Sequence, residues 1–168
     1  MLLSIIFIFY FLLFEQYYYK GVDFLNEDTI KLLNSLSYGA KMCTQSFDEV
    51  FKHIEKEDMK EAVSECKREH ELLNAKIDGM LSVGDIEPKT PNIMAKGMTW
   101  MKINTELIME KDDCKALAGL ITDGCNMGIK LLNHYLNDYE NADENAKKIV
   151  YEMIELQKSC MEKIKIYL

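Results

Sequence analysis

Between Asp112 and Tyr139, small and apolar side chains recur at Leu117, Ala118, Ile121, Gly124, Cys125, Gly128, Leu132, Tyr135, Leu136 and Tyr139. Recurrence at three and four residues gathers them on one face of a helix, and that face must be buried against other elements. Gly124 and Gly128 lie one turn apart on it. Each glycine costs about 1 kcal/mol relative to alanine in a helix interior, so the pair predicts close approach by a neighbouring helix. Two prolines and eight glycines in 168 residues leave little material for turns, which points to an all-α chain.

Three further segments carry the same period and supply the cover. The first helix runs from about Asp28 to Lys56, capped by Asn26, with Leu33, Leu36, Ala40, Cys43, Phe47, Val50, Phe51 and Ile54 inward. Asp58 followed by Glu61 resembles a capping box and opens the second helix almost without a loop, so the two helices are antiparallel neighbours. Met59, Ala62, Val63, Cys66, His70, Leu73, Ile77, Met80 and Leu81 form its stripe, and Gly84 ends it. The third helix is capped by Asp112 or Asp113. A fourth starts near Asn141-Ala142-Asp143-Glu144 and turns Ala146, Ile149, Val150, Met153, Leu156, Cys160, Ile164 and Tyr167 inward.

The connection from Gly84 to Lys111 is long and contains both prolines, Pro88 and Pro91, followed by a shorter helix from Asn92 through Trp100 to Ile108. A connection of that length can travel the bundle, so the third helix is expected parallel to the second, with Trp100 lying outside as a lid. The expected fold is therefore a four-helix bundle with a long crossover, itself containing a short helix, between the second and third helices.

Two stretches, Lys96-Gly97-Met98-Thr99-Trp100 and Asp123-Gly124-Cys125-Asn126-Met127-Gly128-Ile129-Lys130, are followed by Tyr135-Leu136-Asn137. Together with the two-hairpin outline, they resemble segments of small bacterial ferritin-like four-helix-bundle proteins of unknown function. The resemblance covers about Asp28 to Leu168 and implies a ferritin-like bundle without implying an activity.

A net charge of −8 disfavours nucleic acid and anionic membrane surfaces as partners, since both need clustered Lys and Arg. Five cysteines without a CxxC pair suit a reducing compartment, and the cytoplasm is the simplest location. Residues 1–21 stand apart from the bundle domain of residues 22–168. Met1 to Phe14 is almost wholly apolar and is followed by Tyr17, Tyr18 and Tyr19, yet the run falls short of the roughly 20 apolar residues that cross a bilayer. It is read as an appendage outside the native fold, the alternative being a membrane tether formed by residues 1–20 with its tyrosines at the interface.

Iron-binding ferritin-like bundles use inward carboxylates and a Glu-x-x-His pair on two helices. Here Val50, Lys67 and Leu131 precede His53, His70 and His134 at that spacing, so the pair is absent from the sequence. Helical geometry turns Asp48, Glu49, Asp123 and Glu155 outward and leaves Glu69 as the carboxylate nearest a core face. With the first and fourth helices running one way and the second and third the other, Cys43, Cys66, His70 and Cys125 fall at similar heights, with Cys160 about a turn away. Three thiols and an imidazole suit zinc or another thiophilic metal, so Cys43, Cys66, Glu69, His70 and Cys125 are the candidate ligands. The simpler reading is packing, because free cysteine behaves as a small buried hydrophobe. The expected function is accordingly non-enzymatic and cofactor-free, through a protein partner or self-association, with a metal-binding or thiol-redox role for the cysteine and histidine layer as the alternative.

Overall fold

The computed structural model describes residues 25–84, 86 and 114–168, and those residues are helical throughout apart from short links. Helix α1 spans Glu27–Phe51, α2 Glu57–Val83, α3 Cys114–Asp138 and α4 Glu144–Ile164, with a terminal 3-10 turn at Lys165–Tyr167. Helices α1 and α2 form one hairpin and α3 and α4 another, and the hairpins meet chiefly where α2 packs on α4. The result is a four-helix bundle. Among the described residues no helix is long and apolar enough to cross a membrane.

A polar tie at one end sets the helix directions. Asn26, in extended backbone, caps α1 by accepting from the Thr29 amide at 2.8 Å, as its position ahead of the apolar stripe predicts. Its side-chain amide also donates to the Asn141 carbonyl at 2.8 Å, and Asn141 in turn donates through its backbone and side-chain nitrogens to Asp28 at 3.2 and 3.1 Å. The fully buried Thr29 hydroxyl accepts from the Asp143 amide at 2.7 Å. Asp143 then caps α4 through Asn145. The starts of α1 and α4 are therefore side by side, next to the end of α3.

Helix α2 finishes at this same end. Gly84 closes it with its amide on Leu81, and a Cβ built on Gly84 would stand 3.1 Å from the Leu25 side chain. Helices α2 and α3 thus run the same way, as expected from the long connection, and α3 begins at the end opposite the one where α2 stops. The apolar stretch 1–21, the caps Asp112 and Asp113 and the crossover helix, with Pro88, Pro91 and Trp100, lie outside the described residues.

Two apolar clusters fill the interior. Around the tie, Leu32, Leu33, Leu36, Ile77, Leu81, Ile149 and Val150 interlock, with Tyr135, Leu136 and Tyr139 half-buried against them. Toward the other end, Phe47, Val50, Ile54, Met59, Val63, Ile121 and Ile164 form the second. Each fully buried aliphatic side chain contributes about 1.5–3 kcal/mol of transfer free energy. Between the clusters the α1 residues from Lys41 to Ser46 are only partly buried, so the bundle has a polar waist.

Several local expectations are corrected. Helix α1 stops at Phe51 rather than Lys56, because the amides of Lys52, His53 and Ile54 fold back onto carbonyls of Glu49, Val50 and Phe51. That turn buries Ile54 and leaves Phe51 39% exposed instead of inward. Asp58 is not the cap of α2. Lys56 occupies that position without a side-chain bond, and Asp58 accepts instead from its neighbour Met59 inside the first turn. Gly124 has open space where a Cβ would stand, so no helix closes on it.

The tie at Thr29 can be tested directly. Thr29→Val keeps the volume but leaves the Asp143 amide without its acceptor, which should cost about 1–3 kcal/mol. The measurement is urea unfolding followed by circular dichroism, with a lower midpoint and an unchanged slope expected.

Candidate functional site

The waist and the cluster beyond it hold the buried groups with chemical potential. Gln157 on α4 is buried, and its side-chain amide donates to the Cys43 sulfur on α1 at 3.4 Å. Gly128 on α3 makes the space for it, since a Cβ there would lie 3.2 Å from the Gln157 amide nitrogen. The close approach expected at this glycine is thus made by a polar side chain rather than by helix backbone. Burial raises the Cys43 thiol to about 11, against the lowering influence of the Gln157 bond, so Cys43 is a neutral thiol at pH 7.

His70 on α2 is wholly buried, one turn from Cys66 and edge-on to Phe47 with ring centroids 5.3 Å apart. Its Nδ1 lies 2.7 Å from the Cys66 carbonyl oxygen. A carbonyl only accepts, so Nδ1 carries the proton and Nε2 presents a lone pair. That lone pair is buried and has no partner among the described residues. Burial is the main reason the ring titrates below its ordinary value of 6.5, although the Cys66 carbonyl and Glu69 both favour the charged form.

Cys66, Cys125 and Cys160 come together from α2, α3 and α4 in the second cluster. The Cys160 thiol is the hub, within hydrogen-bonding reach of both Cys125 and Cys66. These contacts, Cys125 first, together with burial, push Cys160 well above the usual thiol range. Cys66 moves the other way because Cys160 donates to its sulfur, with Lys163 assisting and burial opposing.

The proposed ligand set does not assemble as a unit. Glu69 is held by Lys163 through both carboxylate oxygens at 2.9 Å, with Glu65 on the same lysine at 3.4 Å. Cys43 is taken by Gln157, and His70 engages backbone through its protonated nitrogen. Among the described residues no three His, Cys, Asp or Glu side chains surround a point where an ion could sit. A dinuclear iron site fits no better. Asp48, Asp123 and Glu155 are exposed, so among the described residues these carboxylates are not placed to bridge two ions inside the bundle.

Periodicity missed one carboxylate. Asp78, beside core residue Ile77, reaches across to α1 and accepts from the buried Ser37 hydroxyl at 2.7 Å and from Asn74 at 3.1 Å. Lys41 balances its charge at 3.4 Å. With no imidazole joined to the serine, this is a tie between helices rather than a nucleophile and its base. In a groove between α1 and α2 lined by Phe47, Phe51, Val63, Asp48, Lys67 and Glu71, the lysine is taken up by the groove's own carboxylates, pairing with Asp48 at 2.5 Å and with Glu71 at 3.5 Å.

Comparison with known proteins finds no matching protein-family model, no matching curated protein and no matching solved structure.

Two measurements check this layer. Gly128→Leu should destabilise the fold by about 1–3 kcal/mol, and Gln157→Ala in the same chain should return part of that loss, the non-additivity expected of groups in contact. Strict additivity in denaturant melts would separate the two residues. For His70, the folded state holds a neutral ring while the unfolded chain takes up a proton below about pH 6.5, so acidification favours unfolding. The urea midpoint should therefore fall from about pH 7 to about pH 5 by more in wild type than in His70→Leu. Equal losses would mean that His70 protonates without leaving the fold.

Proposed function

We propose that this chain is a ferritin-like helical bundle with a non-enzymatic role, acting through protein contact and first of all through self-association. The observation that carries the reading is the outer face of α3. Met127 and Leu131, one turn apart, are 58% and 47% exposed, and His134 and Lys130 flank them at the surface. From Gly124 to Asn137 the sequence carries one charged residue, Lys130. On a chain of net charge −8, two copies repel over most of their surface and can approach most closely where charge is absent. An isologous contact around Met127 and Leu131 brings apolar side chain to apolar side chain with little acidic surface opposed.

The interior supports the same reading. Buried polar groups there tie helices together, as at Ser37 with Asp78 and Gln157 with Cys43, or pack against an apolar neighbour, as at His70 with Phe47. Ligand sites instead converge a few polar groups on an open, mostly apolar cavity. Five free cysteines fit a reducing, cytoplasmic setting.

Size-exclusion chromatography with light scattering tests the proposal. The wild-type chain should run as a dimer or larger, and Leu131→Glu, which sets like charges against each other in the contact, should shift it to monomer with unchanged helicity. A wild-type monomer across the micromolar range would overturn self-association.

A further inference from the structure

Gly124 weakens the helix it sits in, and among the described residues nothing stands where its Cβ would be. Its own chain supplies no close contact to offset that loss. The open space lies on the outer side of α3, where Gly124, Met127, Leu131 and His134 follow one another at spacings of three and four and form one stripe. Met127 and Leu131 are its exposed apolar centre. Asp123 and His134, both exposed, stand eleven residues apart, which places them within about 20° of each other on one flank of the stripe.

The two directions in which a second copy can lay its α3 on this stripe differ in charge. A parallel pair sets every residue against its own copy, Asp123 against Asp123 included. It also brings together the ends of α3, where Asp138, Glu140, Asp143 and Glu144 are all exposed. Between chains of net charge −8 that approach is repulsive, and parallel helix dipoles add to the repulsion. An antiparallel pair with its two-fold axis level with Ile129, midway between Met127 and Leu131, separates the two acidic ends by about 30 Å at 1.5 Å per residue. It sets Met127 against Leu131 of the second copy and Gly124 against His134, each contact made twice by symmetry.

We propose that α3 pairs antiparallel with α3 of a second copy, each Gly124 receiving the other copy's His134 ring while Asp123 beside it accepts a hydrogen bond from that ring. A neutral imidazole has one N–H to donate and a carboxylate only accepts, so the two groups match at neutral pH. Any side chain larger than hydrogen at position 124 takes up the space that the ring needs. This inference rests on the self-association reading and specifies its geometry.

Sedimentation equilibrium of the full chain gives the dimer dissociation constant, and circular dichroism checks that each variant folds. Gly124→Leu should keep its helicity, since the space beside it is open within the chain, and should weaken the dimer by about tenfold or more. His134→Glu should weaken it similarly, because it sets a carboxylate against Asp123 at both ends of the contact. Adding Asp123→Lys to His134→Glu should bring the dissociation constant back toward wild type. In a parallel pair the same double variant opposes Lys to Lys and Glu to Glu, so further weakening would overturn the antiparallel direction. A wild-type dimer that Leu131→Glu breaks and Gly124→Leu leaves intact would overturn this geometry while self-association stands. A wild-type chain that stays monomeric would overturn both.

Discussion

Four polar residues at one end of the bundle, Asn26, Asp28, Thr29 and Asn141, decide what the apolar surface can do. Stripes of Leu and Ile are permissive, since an apolar face will pack against many others, in either direction and several registers. Hydrogen bonds to the ends of α1 and α4 are not permissive. They are directional, and one is made to the wholly buried Thr29, so shifting α4 by a turn would strand the Asp143 amide and the Thr29 hydroxyl together. With those starts clamped, α2 and α3 must return to the same end and the connection between them must cover the bundle's length.

The waist divides the interior into two apolar halves. A continuous hydrophobic core would bury more area, and here the chain gives that up for Gln157, Cys43 and the space above Gly128. A buried amide that finds its partner at one helix height and loses it at the next discriminates between registers more sharply than leucine against leucine. Asp78 with Ser37 does the same for α1 against α2, closer to the tie.

Much of the architecture was legible in the sequence. The four stripes, the cap at Asn26 and the parallel course of α2 and α3 follow from the 3.6-residue period, from cap chemistry and from connection length. The site was legible in composition but not in partnership. Summed heights brought the cysteines and His70 to one level, yet heights say nothing about which helices are lateral neighbours. Hence Cys160, set a turn away by that reckoning, is the hub, while Cys43 turned out to belong to Gln157. Glu69 was legible as a residue at the edge of a core face, but not its lysine, because the pairing with Lys163 joins α2 to α4. Asp78 escaped because it lies beside the stripe of α2, where angle alone marks it as outward, and because it is Ser37 on another helix that gives it a reason to turn in.

The clamp also has a consequence for the order of assembly. Its bonds join residues 113 to 115 positions apart, whereas the α1–α2 hairpin needs only neighbours in sequence. As the chain is synthesised, α1 and α2 can pair long before Asn141 exists. Until then, Thr29 and the Leu32 and Leu33 surface have no α4 to cover them. The first hairpin therefore waits with its most apolar end open, and the interval before α4 arrives is when this chain is most exposed to wrong partners, a second nascent copy among them.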